Sequence, residues 1–61
     1  MPMCHKLARQ LVDKYGFNQR KMAVEVKIPR GYLTEWLNGK RNLQPNEVER
    51  IRAYFAELNL V

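Results

Sequence analysis

Pro29 constrains the fold of this sequence more than any other residue. It follows Lys27 and Ile28 and separates two stretches, Gln19–Val26 and Arg30–Asn38, that each repeat apolar residues at helical spacing. Proline disfavours helical geometry in the residue before it, yet fits the first turn of a helix, where its missing N–H costs nothing. The chain must therefore leave one helix near Lys27 and enter another near Pro29. Ile28 becomes the corner, with its side chain turned into the core. So tight a corner is not needed to fill a core, but it does hold a helix out with one face bare.

The flanking segments are helical as well. Leu7, Ala8, Leu11, Val12 and Tyr15 make one apolar stripe, and Gly16 then stops a first helix spanning about residues 4–15. Asn18 suits the N-cap of a second helix over 19–26, with Met22, Ala23 and Val26 inside. The third covers about 29–38, with Tyr32, Leu33, Trp36 and Leu37 as its apolar positions and Asn38-Gly39 as a stop. The fourth covers about 47–58. Asn46 and Glu49 have the spacing of a capping box, and Val48, Ile51, Tyr54, Phe55 and Leu58 form the inner stripe. No β-pattern competes. The reading is an all-α bundle of about four short helices in a single domain over residues 1–61.

A chain of 61 residues buries only roughly 60% of the surface its unfolded form exposes, so it has little stability to spare. The usual staples are missing. Cys4 is the only cysteine and His5 the only histidine, which excludes an internal disulfide and a structural zinc site. Cys4 reads as a small side chain in the first turn. No stretch approaches the roughly 18 apolar residues of a membrane span, and the opening decapeptide does not resemble a secretory signal. An intracellular location is expected, cytoplasm or nucleoid in a bacterium or phage and nucleus in a eukaryote.

Charge points to the partner. The net charge is +5, and its excess lies over the central two-helix unit. Residues 17–42 hold Arg20, Lys21, Lys27, Arg30, Lys40 and Arg41 against Glu25 and Glu35. A localised basic surface calls for a polyanion, and nucleic acid is the commonest. A two-helix corner serves that purpose when a small residue sits where the backbones approach and apolar residues line the inside. Ala23 is the small residue; Met22, Val26, Ile28, Leu33 and Trp36 are the lining. What remains outward on the third helix is Pro29, Arg30, Gly31, Thr34, Glu35 and Asn38, a narrow polar face that can enter a major groove.

The run from Gln19 through Ala23, Ile28 and Leu33 to Trp36, with Asn38-Gly39 after it, resembles the lambda-repressor/Cro class of helix-turn-helix domains. That class shares its fold with the POU-specific and CUT domains, and Arg30-Gly31-Tyr32-Leu33-Thr34-Glu35 is similar to their reading-helix pattern. The resemblance covers residues 4 to about 58. It implies double-stranded DNA as partner, through a major-groove recognition helix over 29–38, in transcriptional regulation. By position, Gln19 contacts a backbone phosphate and braces a reading side chain, and Asn38 contacts phosphate at the helix end. Arg30 takes the place of the principal base reader, commonly Gln, and its two parallel donors match guanine O6 and N7. Gly31 lets the helix approach the bases, and Thr34 reaches a thymine methyl or a phosphate. Arg20, Lys21, Lys40 and Arg41, at both ends of the reading helix, are expected on phosphates. Two departures stand out. Lys27 replaces the Gly usual in the turn, where the backbone often has positive φ, and Pro29 removes one backbone N–H near the groove.

Other readings compete residue by residue. Trp36 and Tyr32 are core residues or base-stacking aromatics, with core favoured for both. The basic residues are phosphate contacts or a solvated face, and Lys6 and Arg9 read as plain surface. Glu35 accepts from cytosine N4, repels wrong sites, or pairs with a nearby cation. For the whole chain, the alternative to DNA binding is a protein-binding module on a helix-turn-helix scaffold. Enzyme chemistry has no foothold, since the carboxylates are scattered and no triad or Gly-rich loop appears. Neither metal nor cofactor nor small-molecule substrate is expected. Tight operator binding normally needs a homodimer or a larger regulator, and Leu58, Leu60 and Val61 read as a dimer seam or a domain edge.

Overall fold

Local signals set the start and stop of each helix in the computed structural model, which describes residues 3–61. The first two residues of the expected domain lie outside the described ones. The order is α1 (His5–Tyr15), α2 (Gln19–Val26), α3 (Arg30–Leu37) and α4 (Pro45–Glu57), with no strand among the described residues. The protein is an all-α bundle.

The helix starts differ in chemistry. Asn18 Oδ1 accepts from the backbone N–H groups of Arg20 at 2.9 Å and Lys21 at 3.2 Å, which caps α2. Cys4 is the N-cap of α1 and accepts the Leu7 N–H through Sγ at 3.5 Å. Two sequence expectations need correction. Pro29 lies outside α3 as its N-cap, with φ −53° and ψ 136°, so it removes none of the N–H groups of the helix's own first turn. The fourth helix begins at Pro45, with Gln44 as N-cap and the Glu47 carboxylate accepting the Gln44 N–H at 2.9 Å. Proline at the first helical position decides that start, and Asn46 and Glu49 form no capping box.

All four helices stop alike. One residue turns left-handed (Gly16, Lys27, Gly39 and Asn59 in turn), and the next residue's N–H reaches back to the last turn of the helix. These bonds run from Phe17 to Val12 O, Ile28 to Ala23 O, Lys40 to Glu35 O and Leu60 to Phe55 O, at 2.8–3.1 Å. This is the Schellman arrangement, which satisfies carbonyls that a helix end would otherwise orphan. Glycine adopts the geometry freely and Asn tolerates it, but Lys27, at φ 59°, does not. Gly39 has a second constraint, because a Cβ there would lie 3.0 Å from His5 Nε2.

The core gathers one stripe from each helix. Ala8, Leu11 and Val12 meet Met22, Ala23 and Val26, with Ile28 at the corner, Leu33, Trp36 and Leu37 from α3, and Ile51 and Phe55 from α4. Phe17, just beyond α1, packs edge-on against Phe55 with ring centroids 5.5 Å apart. Trp36 is a core residue, and no polar side chain is buried among the described residues. The expected stripes are too wide at their edges. Leu7, Tyr15, Tyr32 and Leu58 are exposed. A helix this short needs only a narrow stripe to touch its neighbours, so apolar residues at its margins or last turn stay in water.

Replacing Lys27 with Gly should remove the left-handed strain while keeping every backbone hydrogen bond of the corner. Unfolding free energy should rise by about 1 kcal/mol, which raises the melting temperature of so small a domain by roughly 4–8 °C. Thermal unfolding followed by circular dichroism checks this, with Lys27→Val as the opposite arm, expected to melt below the parent chain.

Candidate nucleic-acid interface

The outward side of α3 is set by its inward side. Leu33, Trp36 and Leu37 are buried at 0%, 6% and 2% exposure. At 3.6 residues per turn, the positions opposite them are Gly31, Glu35 and Asn38, with Arg30 and Thr34 along one margin and Tyr32 along the other. Arg30, Gly31, Tyr32, Glu35 and Asn38 are all exposed, and Thr34 is half-buried. Nothing lies within 4 Å of where a Gly31 Cβ would stand. The helix is thus braced from behind and exposed in front, where only surface side chains touch it.

Side chains fix how α3 crosses its neighbours. The Thr34 hydroxyl donates to Gln19 Oε1 at 2.8 Å, joining the start of α2 to the middle of α3. The Gln19 amide nitrogen, with its two donors, has no hydrogen-bond partner among the described residues. Asn38 Oδ1 accepts from Arg9 Nη1 at 3.2 Å, while Arg9 Nε pairs with Asp13 at the same distance. Arg9, read from sequence as plain surface, therefore ties α1 to the end of α3. The Asn38 amide nitrogen has no hydrogen-bond partner among the described residues.

The cations divide into two kinds. Arg20, Lys21, Arg30 and Lys40 are exposed and make no side-chain hydrogen bond or ion pair among the described residues. Arg41 is engaged on α3 itself. Its guanidinium lies 3.9 Å from the centre of the Tyr32 ring, and its Nε donates to Glu35 Oε1 at 2.6 Å. That hydrogen bond holds the Arg41 guanidinium charged above its ordinary range. Tyr32, expected inside, serves instead as the outer platform on which Arg41 lies. Of the three sequence readings of Glu35, the free protein shows the ion pair.

Arg50, unremarked in the sequence, holds the corner. Its Nε donates to Val26 O at 2.8 Å and its Nη2 to Lys27 O at 3.3 Å. A cation thus sits at the negative end of α2 and binds the carbonyl of left-handed Lys27. No local signal marks it, because its partners lie more than twenty residues earlier in the chain. Lys27 itself is exposed, and Glu49, expected in a capping box, pairs with Arg52 instead, which pulls the Glu49 carboxyl below its ordinary range. Among the described residues no cluster of acidic, His or Cys side chains could hold a metal, and no helix is long and apolar enough to cross a membrane.

The sequence model of one family, described as helix-turn-helix, matches residues 6–58. The matched span takes in all of α2, the corner, α3 and α4, and all of α1 but its first residue. No curated protein and no solved structure matches the chain.

Replacing Arg50 with Met keeps the aliphatic stem but leaves the Val26 and Lys27 carbonyls without their donors. Hydrogen bonds from a charged group contribute about 1.5–3 kcal/mol, so denaturant unfolding should show a loss of that order. Arg50→Lys, with a charge but no planar fork, should lose less.

Proposed function

The chain belongs to the helix-turn-helix family, and from that premise we propose that it binds double-stranded DNA sequence-specifically, with α3 in the major groove. The family is a DNA-binding one, typical of transcription regulators. The observation that carries the finer reading is the bare face of α3, exposed at Arg30, Gly31, Glu35 and Asn38 and flanked by the exposed cations Arg20, Lys21 and Lys40. A major groove about 12 Å wide admits one helix if its leading face is small, and Gly31 provides the room.

In this reading Arg30 sets the principal base preference. A bidentate guanidinium on guanine O6 and N7 contributes roughly 1–3 kcal/mol of discrimination. Gly31 brings the backbone close to the base edges. Thr34, with its hydroxyl turned to Gln19, presents its methyl group to a thymine methyl. Phosphate contacts come from Gln19 through its amide nitrogen, from Arg20, Lys21 and Lys40 as exposed cations, from Asn38 through its amide nitrogen, and from the outer nitrogens of Arg41. These contacts set register and orientation, while the base contacts carry sequence information. The function is then regulation by occlusion or recruitment at a promoter, without bond-making chemistry or cofactor, wherever the genome is housed. A single module covers little DNA, so tight binding involves a homodimer or a larger regulator. Leu58 and Val61, both about half exposed at the end of the chain, are the apolar surface offered for that contact.

Selection from a random duplex pool should enrich one half-site containing a guanine. Arg30→Ala should then relax preference at that base pair alone. Lys21→Ala and Lys40→Ala should weaken binding to all sequences evenly, each lowering the slope of log affinity against log salt by about 1. Salt-insensitive binding, or a pool that returns no motif, would favour a protein partner on this scaffold instead.

A further inference from the structure

We propose that Glu35 is a second specificity-determining residue, a cytosine reader whose carboxylate is aimed by Arg41 against the Tyr32 ring. The inference rests on the proposed docking of α3 and adds to it the base class that the centre of the helix selects. Glu35 lies opposite the buried stripe of Leu33, Trp36 and Leu37, on the line that goes deepest into a groove. Arg30 stands at the margin of that face and reaches inward by its length.

A carboxylate at this position is costly beside a polyanion. The structure shows how it is kept there. Arg41 Nε donates to Glu35 Oε1 at 2.6 Å, and the guanidinium carbon lies over the Tyr32 ring, 3.9 Å from its centre, with Tyr32 and Glu35 one turn apart on the same helix. The pairing cancels the charge locally and restricts the side-chain rotation of Glu35, so less freedom is lost on binding. It occupies Oε1 and leaves Oε2 as an acceptor. Among base edges in the major groove, cytosine N4 and adenine N6 are the donors. Adenine sets its N7 acceptor beside N6, which repels a carboxylate, whereas cytosine presents its amino group alone. The remaining Arg41 nitrogens can hold a phosphate, so one guanidinium links backbone contact to base reading.

Spacing gives a further consequence. Glu35 follows Arg30 by five residues, a rise of about 7.5 Å along the helix, and base pairs stack about 3.4 Å apart. The cytosine should therefore lie roughly two base pairs from the guanine read by Arg30.

The test measures binding to the selected half-site with each base pair replaced in turn, for the parent chain, Glu35→Ala, Glu35→Gln and Arg30→Ala. The side chains are exposed, and equal melting temperatures establish that every variant is folded. The expected result is a C·G preference about two base pairs from the Arg30 position. Glu35→Ala should reduce it at least fivefold while leaving the guanine preference intact, and should bind unrelated DNA as tightly or more tightly. Glu35→Gln should shift the same position towards A·T, since Gln matches adenine N6 and N7. A Glu35→Ala variant whose base profile is unchanged, with all sequences bound uniformly tighter or weaker, would overturn the proposal even if Arg30→Ala behaves as a base reader. If the parent chain binds no duplex, or Arg30→Ala also leaves the profile unchanged, the docking of α3 fails and Glu35 falls with it.

Discussion

At the end of α2 the chain must change direction within two residues, Lys27 and Ile28, without leaving its last carbonyls bare. Three contributions achieve this. Ile28 N–H returns to Ala23 O, the Ile28 side chain enters the core at 3% exposure, and Arg50 crosses from α4 to the carbonyls of Val26 and Lys27. The position of α3 follows from that corner. Two further struts, Thr34 on Gln19 and Asn38 on Arg9, then limit how far α3 can roll. The first strut uses a side chain of the helix margin and the second the residue that ends the helix, so Arg30, Gly31 and Glu35 are left exposed.

This arrangement suits a chain with a thin stability margin. Its core is entirely apolar among the described residues, so no buried polar group demands a partner. The polar linkages are all at the rim, where each contributes modestly to stability but strongly restricts geometry. Lys27 and Asn59 are the two non-glycine residues with left-handed backbone among the described ones, and of these Asn tolerates it better. At Lys27 the conformation costs on the order of 1 kcal/mol, and the Arg50 contacts offset part of that. The charges follow the same division. Arg41 is tethered to α3, whereas Arg20, Lys21, Arg30 and Lys40 are unengaged among the described residues, so cations surround a face whose own carboxylate is already paired.

Much of the fold was legible because its signals are local. Pro29, Asn18 and the apolar stripes of α2 and α3 place the corner, and Ala23, Ile28, Leu33 and Trp36 are all in the core. The start of α4 was misplaced because the capping spacing of Asn46 and Glu49 competed with Pro45, and proline geometry prevailed. The apolar pattern of α3 places Tyr32 inside, but its angular position lies at the margin of the buried stripe. The roles of Arg9 and Arg50 have no signature in the sequence for a different reason. Their hydrogen-bond partners are distant in sequence, and a basic residue on a helix gives no sign of whether it faces water or a neighbouring carbonyl. The candidate site was legible as a set of exposed residue types. The Glu35–Arg41–Tyr32 contacts, which depend on where the loop after α3 returns, were not.

The central claim is that the uncovered face of α3 is the surface that meets DNA. Nitrogen-15 NMR of the chain, titrated at low salt with a duplex carrying the selected half-site, tests it most directly. The account predicts the largest amide shifts at Arg30, Gly31, Thr34, Glu35 and Asn38, smaller ones at Arg20, Lys21 and Lys40, and attenuation of all of them as salt is raised. Amides of α3 that stay in place, or shifts concentrated at Leu58–Val61 or along α4, would contradict it.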